Sequence, residues 1–171
     1  MDEPWANASN PPFRKYKVWN HEGGICTPFI AYWPKVIKQK GRFTDQVGHI
    51  IDIMPTLADV SGARYPEQYD DHEVLPLEGK SLLPVLEGNK RKGHDAIFWQ
   101  IAPGKNHAVR QGEWKLVRIS DDSPWELYNL NQDRVESHDL SAQYADKVQE
   151  MERLYNAWAK RMGIPAASQH N

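Results

Sequence analysis

The 171-residue chain has a single cysteine, Cys26. No disulfide can close within it, and its redox compartment stays open. It has no apolar run long enough to cross a membrane as a helix. Its net charge is −2 at pH 7 and neither half carries a strong excess of one sign. The electrostatic footprint of nucleic-acid or anionic-membrane binding is therefore missing. Lys90-Arg91-Lys92 is the only basic run and, after Gly88-Asn89, reads as a solvated loop. The opening Met1-Asp2-Glu3-Pro4-Trp5 lacks the basic and apolar regions of a signal peptide. The seven histidines show no zinc spacing. Asp70-Asp71-His72 sets hard ligands in a row, but adjacent side chains seldom converge on one ion, so no metal ligand is assigned. Gly79-Lys80-Ser81 is not a phosphate-binding loop, because the earlier glycine and a feeding strand are both missing.

What the chain does have is aromatic weight, with seven tryptophans and seven tyrosines. Residues 1–16, with Asn7, Ser9, Asn10, Pro11 and Pro12, read as an extended loop. Phe29 to Trp33 form a short apolar run between Pro28 and Pro34, which reads as a buried strand. Residues 45–50 read as another strand. Asp52 is then placed to cap a helix over 53–61, with Pro55 in its first turn and Gly62 at its end. Residues 64–78 are polar and read as a loop. A change of composition at about 88–94 marks a boundary.

Beyond that boundary, residues 96–100, 107–111, 114–119 and 126–130 are rich in aromatic and β-branched side chains. They predict an antiparallel sheet, with a tight turn at Gln111-Gly112. Tyr144, Val148, Met151, Tyr155, Trp158 and Met162 recur at steps of three and four, which predicts an amphipathic helix over 142–162 covering that sheet. Ser141 is its expected cap, Gly163 its end, and Pro165 lies beyond.

The most informative stretch runs from Lys17 through His21-Glu22-Gly23-Gly24-Ile25 to Pro28 and Trp33-Pro34. It resembles the lysine-to-Glu-Gly-Gly-to-Trp-Pro segment of the sulfatase family, the arylsulfatase-like hydrolases of the alkaline-phosphatase superfamily. The resemblance continues in Asp52-Ile53-Met54-Pro55-Thr56-Leu57, in Gly79-Lys80-Ser81-Leu82-Leu83-Pro84, in Arg110-Gln111-Gly112-Glu113-Trp114-Lys115-Leu116, and in Glu126-Leu127-Tyr128-Asn129-Leu130. It spans roughly residues 5 to 162, and it matches only the C-terminal portion of that family.

The resemblance implies an α/β fold. Residues 1–90 would be the C-terminal slice of an alkaline-phosphatase-like sandwich, and residues 91–171 a small antiparallel sheet packed on a C-terminal helix. It implies sulfate-ester hydrolysis, with Lys17 contacting the sulfate and Lys15 as the neighbouring alternative. A lysine suits that task, because a fixed cation stabilises charge on the sulfuryl oxygens. Two consecutive glycines allow close approach of the backbone to a ligand. His21 and, from the loop Ile101–Asn106, Lys105 and His107 are weaker substrate-binding candidates.

The family's nucleophile is a formylglycine made from Cys or Ser in a Cys/Ser-x-Pro-x-Arg context. Cys26-Thr27-Pro28 starts that way, but the arginine is absent, so Cys26 reads as an inert buried thiol. Calcium is expected in the complete enzyme, with its ligands outside this chain. The partners implied are a sulfated small molecule or carbohydrate and the N-terminal part of the fold, in a periplasmic or secreted parent. The chain alone is expected to be inactive. Two other readings stand beside this one: a phosphate mono- or diester hydrolase of the same superfamily, and a non-catalytic C-terminal module.

Overall fold

The computed structural model describes residues 3–39 and 41–164; Pro165 lies outside them. The chain divides into two units: Met1–Pro28 together with Asp95–Asn171, and Phe29–His94. This differs from the expected division at residue 90. The first 28 residues belong with the C-terminal sheet, for a reason that lies in buried charge and not in composition.

The first unit is built on four strands: β3 (Ile97–Ala102), β4 (Lys105–Gln111), β5 (Trp114–Ser120) and β6 (Glu126–Asn129). They form an antiparallel meander in the order β3-β4-β5-β6, as the aromatic and β-branched segments predict. Trp114 pairs with Gln111 across the turn at Gly112, whose φ of 59° is left-handed. The expected loop over 101–106 is mostly strand: Ala102 pairs with Lys105 around a two-residue turn at Pro103-Gly104. Successive side chains alternate between the faces. On one face Val109, Leu116 and Leu127 pack against Met151, Tyr155 and Ala159 of α5 (Ala145–Arg161). On the other, Ala108, Val117, Tyr128 and Leu130 form a second buried cluster with Trp99.

The helix stripe is correct at its centre and exposed at its ends. Met151 and Tyr155 are buried, whereas Tyr144 and Met162 are 46% and 50% exposed. Ser141 is not the cap; its Oγ donates to Asp139, and the helix starts after Tyr144. Gly163 ends it with φ 68°. The N-terminal stretch also departs from expectation. Glu3–Ala8 form a short helix, α1, with Pro4 in its first turn, where a missing N–H is harmless.

The second sheet face holds a lysine. Lys115 is fully buried, and its Nζ lies 2.7 Å from Glu22 Oε1 and 2.7 Å from Glu136 Oε1. Glu22 opens α2 (Glu22–Ile25), so this triad draws the N-terminal segment onto the sheet. Two carboxylates and one ammonium out of water tolerate no loss of a partner.

The second unit holds the 3₁₀ turn Ile50–Asp52, helix α3 (Ile53–Ser61), strands β1 (Gln68–Tyr69) and β2 (His72–Glu73), and helix α4 (Leu83–Leu86). Helix α3 and its left-handed stop at Gly62 match the expectation. Asp52 does not cap α3 with its side chain. Its carboxylate is completely buried and accepts from His49 N (2.9 Å), Lys80 N (2.8 Å), Arg91 Nη2 (2.7 Å) and His94 Nε2 (2.6 Å). Burial alone would raise this carboxyl; the four donors outweigh it and hold it below the ordinary range. Arg91 is therefore not part of a solvated loop, since its side chain is 5% exposed. Gly79 is required beside this hub, because a Cβ there would sit 1.9 Å from Ile51 O. Asp70 and Asp71, with φ 48° and 61°, make the tight turn between β1 and β2.

The expected strands at 28–33 and 45–50 are absent; both stretches are irregular. A strand needs a neighbour to take its N–H and C=O groups, and among the described residues neither stretch has one. Phe29, Ile30 and Tyr32 are 65%, 89% and 89% exposed.

Met151→Ala removes a fully buried side chain and is expected to cost about 2–5 kcal/mol, whereas Met162→Ala stays below about 1 kcal/mol; urea unfolding measures both. Lys115→Met strands two buried carboxylates and is expected to cost about 3–5 kcal/mol, read by the same unfolding. The Asp52 contribution has the sign of a depressed carboxyl: it is present above the unfolded Asp value and lost as pH falls through the folded one. Asp52→Asn should lower stability at pH 7 and flatten the acid limb, as recorded by unfolding free energy against pH.

Candidate functional site: the Lys17 loop

Lys17 lies on the loop between α1 and α2, and that loop is held from beneath by main-chain contacts. Gly23 N donates to Arg14 O (2.9 Å), Trp19 N to Tyr16 O (3.1 Å) and Gly24 N to His21 O (2.8 Å). The paired glycines owe their identity to this packing. A Cβ on Gly23 would meet Arg14 O at 2.2 Å, and one on Gly24 would meet Trp19 O at 1.9 Å. What the two glycines admit is the chain's own loop, where the sequence suggested a ligand.

Lys17 is exposed, and its ammonium makes no hydrogen bond or ion pair among the described residues. Its neighbours are spent. Lys15 sits with its ammonium 4.7 Å from the centre of the Trp19 ring. Arg14 Nη1 donates to Tyr128 Oη (2.9 Å) and to Glu136 O. Lys15 and Val18, on either side of Lys17, have φ of 65° and 81°. Left-handed backbone at a β-branched residue is strained, and such strain persists only where surrounding contacts over-determine it.

Below the loop lies a second polar group. Glu126 Oε2 accepts from the Tyr128 hydroxyl and lies 3.2 Å from His21 Nε2. The His21 hydrogen bond, reinforced by Tyr128 and Arg14 against the cost of burial, takes the Glu126 carboxyl down to about 2. His21 is itself buried, so it supports the loop from within. Asn20 is buried as well and donates from Nδ2 to Asn106 O.

The weaker candidates make contacts of their own. His107 is buried in β4, with Nδ1 2.7 Å from Tyr155 Oη and Nε2 2.9 Å from Asp121 Oδ1. Burial, then Arg118, push its pKa down. It joins the sheet to α5, and it does not sit on an exposed loop. Lys105 is exposed at the start of β4. Lys105 and His107 flank Asn106, whose carbonyl accepts from Asn20 at the end of the loop; neither side chain bonds to Lys17 among the described residues. Cys26 is half-buried, and burial, with Glu22 nearby, raises its thiol above the ordinary value. That is the opposite of an activated thiolate. Among the described residues no three His, Cys, Asp or Glu side chains gather to hold a metal ion.

Arg14, Lys115, Glu126 and Glu136 carry this site, and sequence reading missed their roles. Lys115 left one usable signal: a lysine between Trp114 and Leu116 must point to the face opposite α5. Glu136 left none.

The family likeness extends over most of the chain. The model of the C-terminal region of N-sulphoglucosamine sulphohydrolase matches residues 14–161. A sulfatase of Formosa agariphila is 32% identical over 92% of this chain, and an uncharacterized sulfatase of Schizosaccharomyces pombe is 27% identical over 95%. The chain spans 31% and 30% of their lengths. Human steryl-sulfatase is 38% identical over 53% of the chain and is spanned over 14% of its own length. Among solved structures, Ps i-CgsB aligns over 88% of this chain and 32% of its own, with 25% identity and a TM-score of 0.66. It has also been solved with k-i-k-neocarrahexaose. The fold class read from the sequence, the C-terminal slice of an alkaline-phosphatase-like α/β fold with its small sheet and helix, agrees with this likeness. The chain belongs to the sulfatase family and corresponds to its C-terminal portion.

Proposed function

We propose that this chain is the C-terminal part of a sulfuric-ester hydrolase, in which Lys17 supplies a cation to the sulfate group of a sulfated carbohydrate or aryl substrate. The observation that carries the reading is that the exposed ammonium of Lys17 has no partner among the described residues, on a loop whose other cations, Arg14 and Lys15, are engaged. A rigid loop with one uncommitted point charge suits stabilisation of charge that develops on sulfuryl oxygens. The oligosaccharide complex of Ps i-CgsB supports a carbohydrate substrate. In this reading Cys26 is not the nucleophile, since its Cys26-Thr27-Pro28-Phe29-Ile30 context lacks the arginine of the formylglycine motif. The calcium expected from the family finds no ligand set among the described residues, so no step here runs through it.

The chain's other partner is the N-terminal part of the same fold. Phe29, Ile30 and Tyr32 are mostly exposed and lie in an irregular stretch whose apolar pattern is that of a core strand. Neighbouring strands from the rest of the fold would cover them.

In an enzyme comprising the whole fold around this chain, Lys17→Ala should lower kcat by roughly 10²–10³, by analogy with losing one oxyanion donor. Near-normal turnover of a chromogenic aryl sulfate would end the assignment. The 171-residue chain alone should show no such turnover and should self-associate in a sizing run through its exposed apolar stretch. Calcium-dependent hydrolysis by a monomer would overturn both expectations.

A further inference from the structure

We infer that Glu136 is the positioning residue of the Lys17 loop: one buried side chain and its own carbonyl close both ends of the loop at once. This rests on the reading of Lys17 as the sulfate-contacting cation. The geometry is specific. At the start of the loop, Arg14 Nη1 donates to Glu136 O. At its end, Glu22 N donates to Glu136 Oε2 at 2.7 Å. The other carboxylate oxygen lies 2.7 Å from Lys115 Nζ, which reaches 2.7 Å to Glu22 Oε1. Residues 14 and 22 are thus tied to a single residue more than a hundred positions away, and Lys17 lies between the two ties.

Glu136 is completely buried and has a left-handed φ of 59°. That conformation is strained for a residue with a side chain. It is enforced locally, since Asp133 accepts from Ser137 N (2.7 Å), His138 N (2.8 Å) and Ser137 Oγ (3.0 Å) and so folds the turn around it. An acidic side chain held in that way, at full burial, with its main-chain carbonyl and its carboxylate aimed at opposite ends of one loop, acts as a clamp. The gain for Lys17 is positional. A cation on a loosened loop spends little time where sulfate oxygens would be, and misplacement by an ångström suffices to lose rate.

The test is amide hydrogen exchange on the full 171-residue chain. Glu136→Gln keeps the shape and removes the charge that binds Lys115. Exchange across residues 16–25, which include the Trp19, Glu22, Gly23 and Gly24 amides, should rise by roughly tenfold or more. Peptides of β3 over 97–102, which contain no member of the Lys115 triad, should rise far less. Unchanged exchange over 16–25, or an equal rise in loop and sheet, overturns the inference. If Glu136→Gln fails to fold, Arg14→Met is the second variant, because the Arg14 side chain is 40% exposed. It releases the first tie, together with the Arg14 bond to the Tyr128 hydroxyl, and leaves Glu22 N on Glu136 Oε2; the same selective rise is expected and the same outcomes overturn the inference.

A second arm uses the whole enzyme. Glu136→Gln should lower kcat/KM in the wild-type background and have no further effect in a Lys17→Ala background. An equal loss in both backgrounds overturns the positioning role. Should Lys17→Ala itself leave turnover intact, the proposed function fails, while the exchange result still decides whether Glu136 holds the loop.

Discussion

The buried ammonium of Lys115, shared between Glu22 and Glu136, is the interaction on which the first unit depends. The three groups come from distant places: the opening of α2, the start of β5 and the turn after β6. Such a group adds little net stability compared with apolar packing, because desolvating three charges costs about what their attraction returns. Its strength is exclusion. No arrangement that separates any one of the three is tolerable, so the segment carrying Lys17 can dock on the sheet in only one way. The apolar contacts of α5 on the opposite face supply the bulk of the burial, and the charges select the register of what lies on the other side.

The second unit repeats the logic with the opposite sign at its centre. Asp52 is a buried anion that gathers donors from His49, Lys80, Arg91 and His94. Thr56 extends the scheme, donating to Asp52 O and accepting from Leu82 N. Two elements of the family pattern, the Asp52 to Leu57 stretch and the Gly79 to Leu82 stretch, are thereby locked to each other. Gly79 is a glycine because the Ile51 carbonyl occupies the space of a Cβ. In both units a polar residue that looks like a surface or capping residue in the sequence turns out to be the centre of the packing.

Much of the secondary structure was legible because it rests on local pattern. The four strands of the meander follow β-branched and aromatic alternation, and the middle of α5 follows its stripe. Helix α3 ends where Gly62 permits a left-handed residue. The failures have a common cause. Phe29–Trp33 has the composition of a core strand, but strand formation requires hydrogen-bond partners that the described residues do not provide. His107 lies in the predicted strand segment, but its imidazole is buried against Tyr155 and Asp121 and is not an exposed contact. Arg91, after Gly88-Asn89, has the local look of a solvated loop, whereas its partner Asp52 is remote in sequence.

The sequence by itself determined the family, the sheet and the principal helices, because motif spacing and periodicity are written along the chain. Tertiary structure alone decided which segments belong together, why Gly23 and Gly24 are glycines, and that Lys17 keeps its charge uncommitted while Arg14 and Lys15 do not. The first of those outcomes turns on buried charges far apart in the chain, such as Lys115 and Glu22, and the glycines turn on main-chain contacts at Arg14 and Trp19. A buried ion finds its partner by the desolvation penalty of being left without one, and a one-dimensional pattern does not record that penalty.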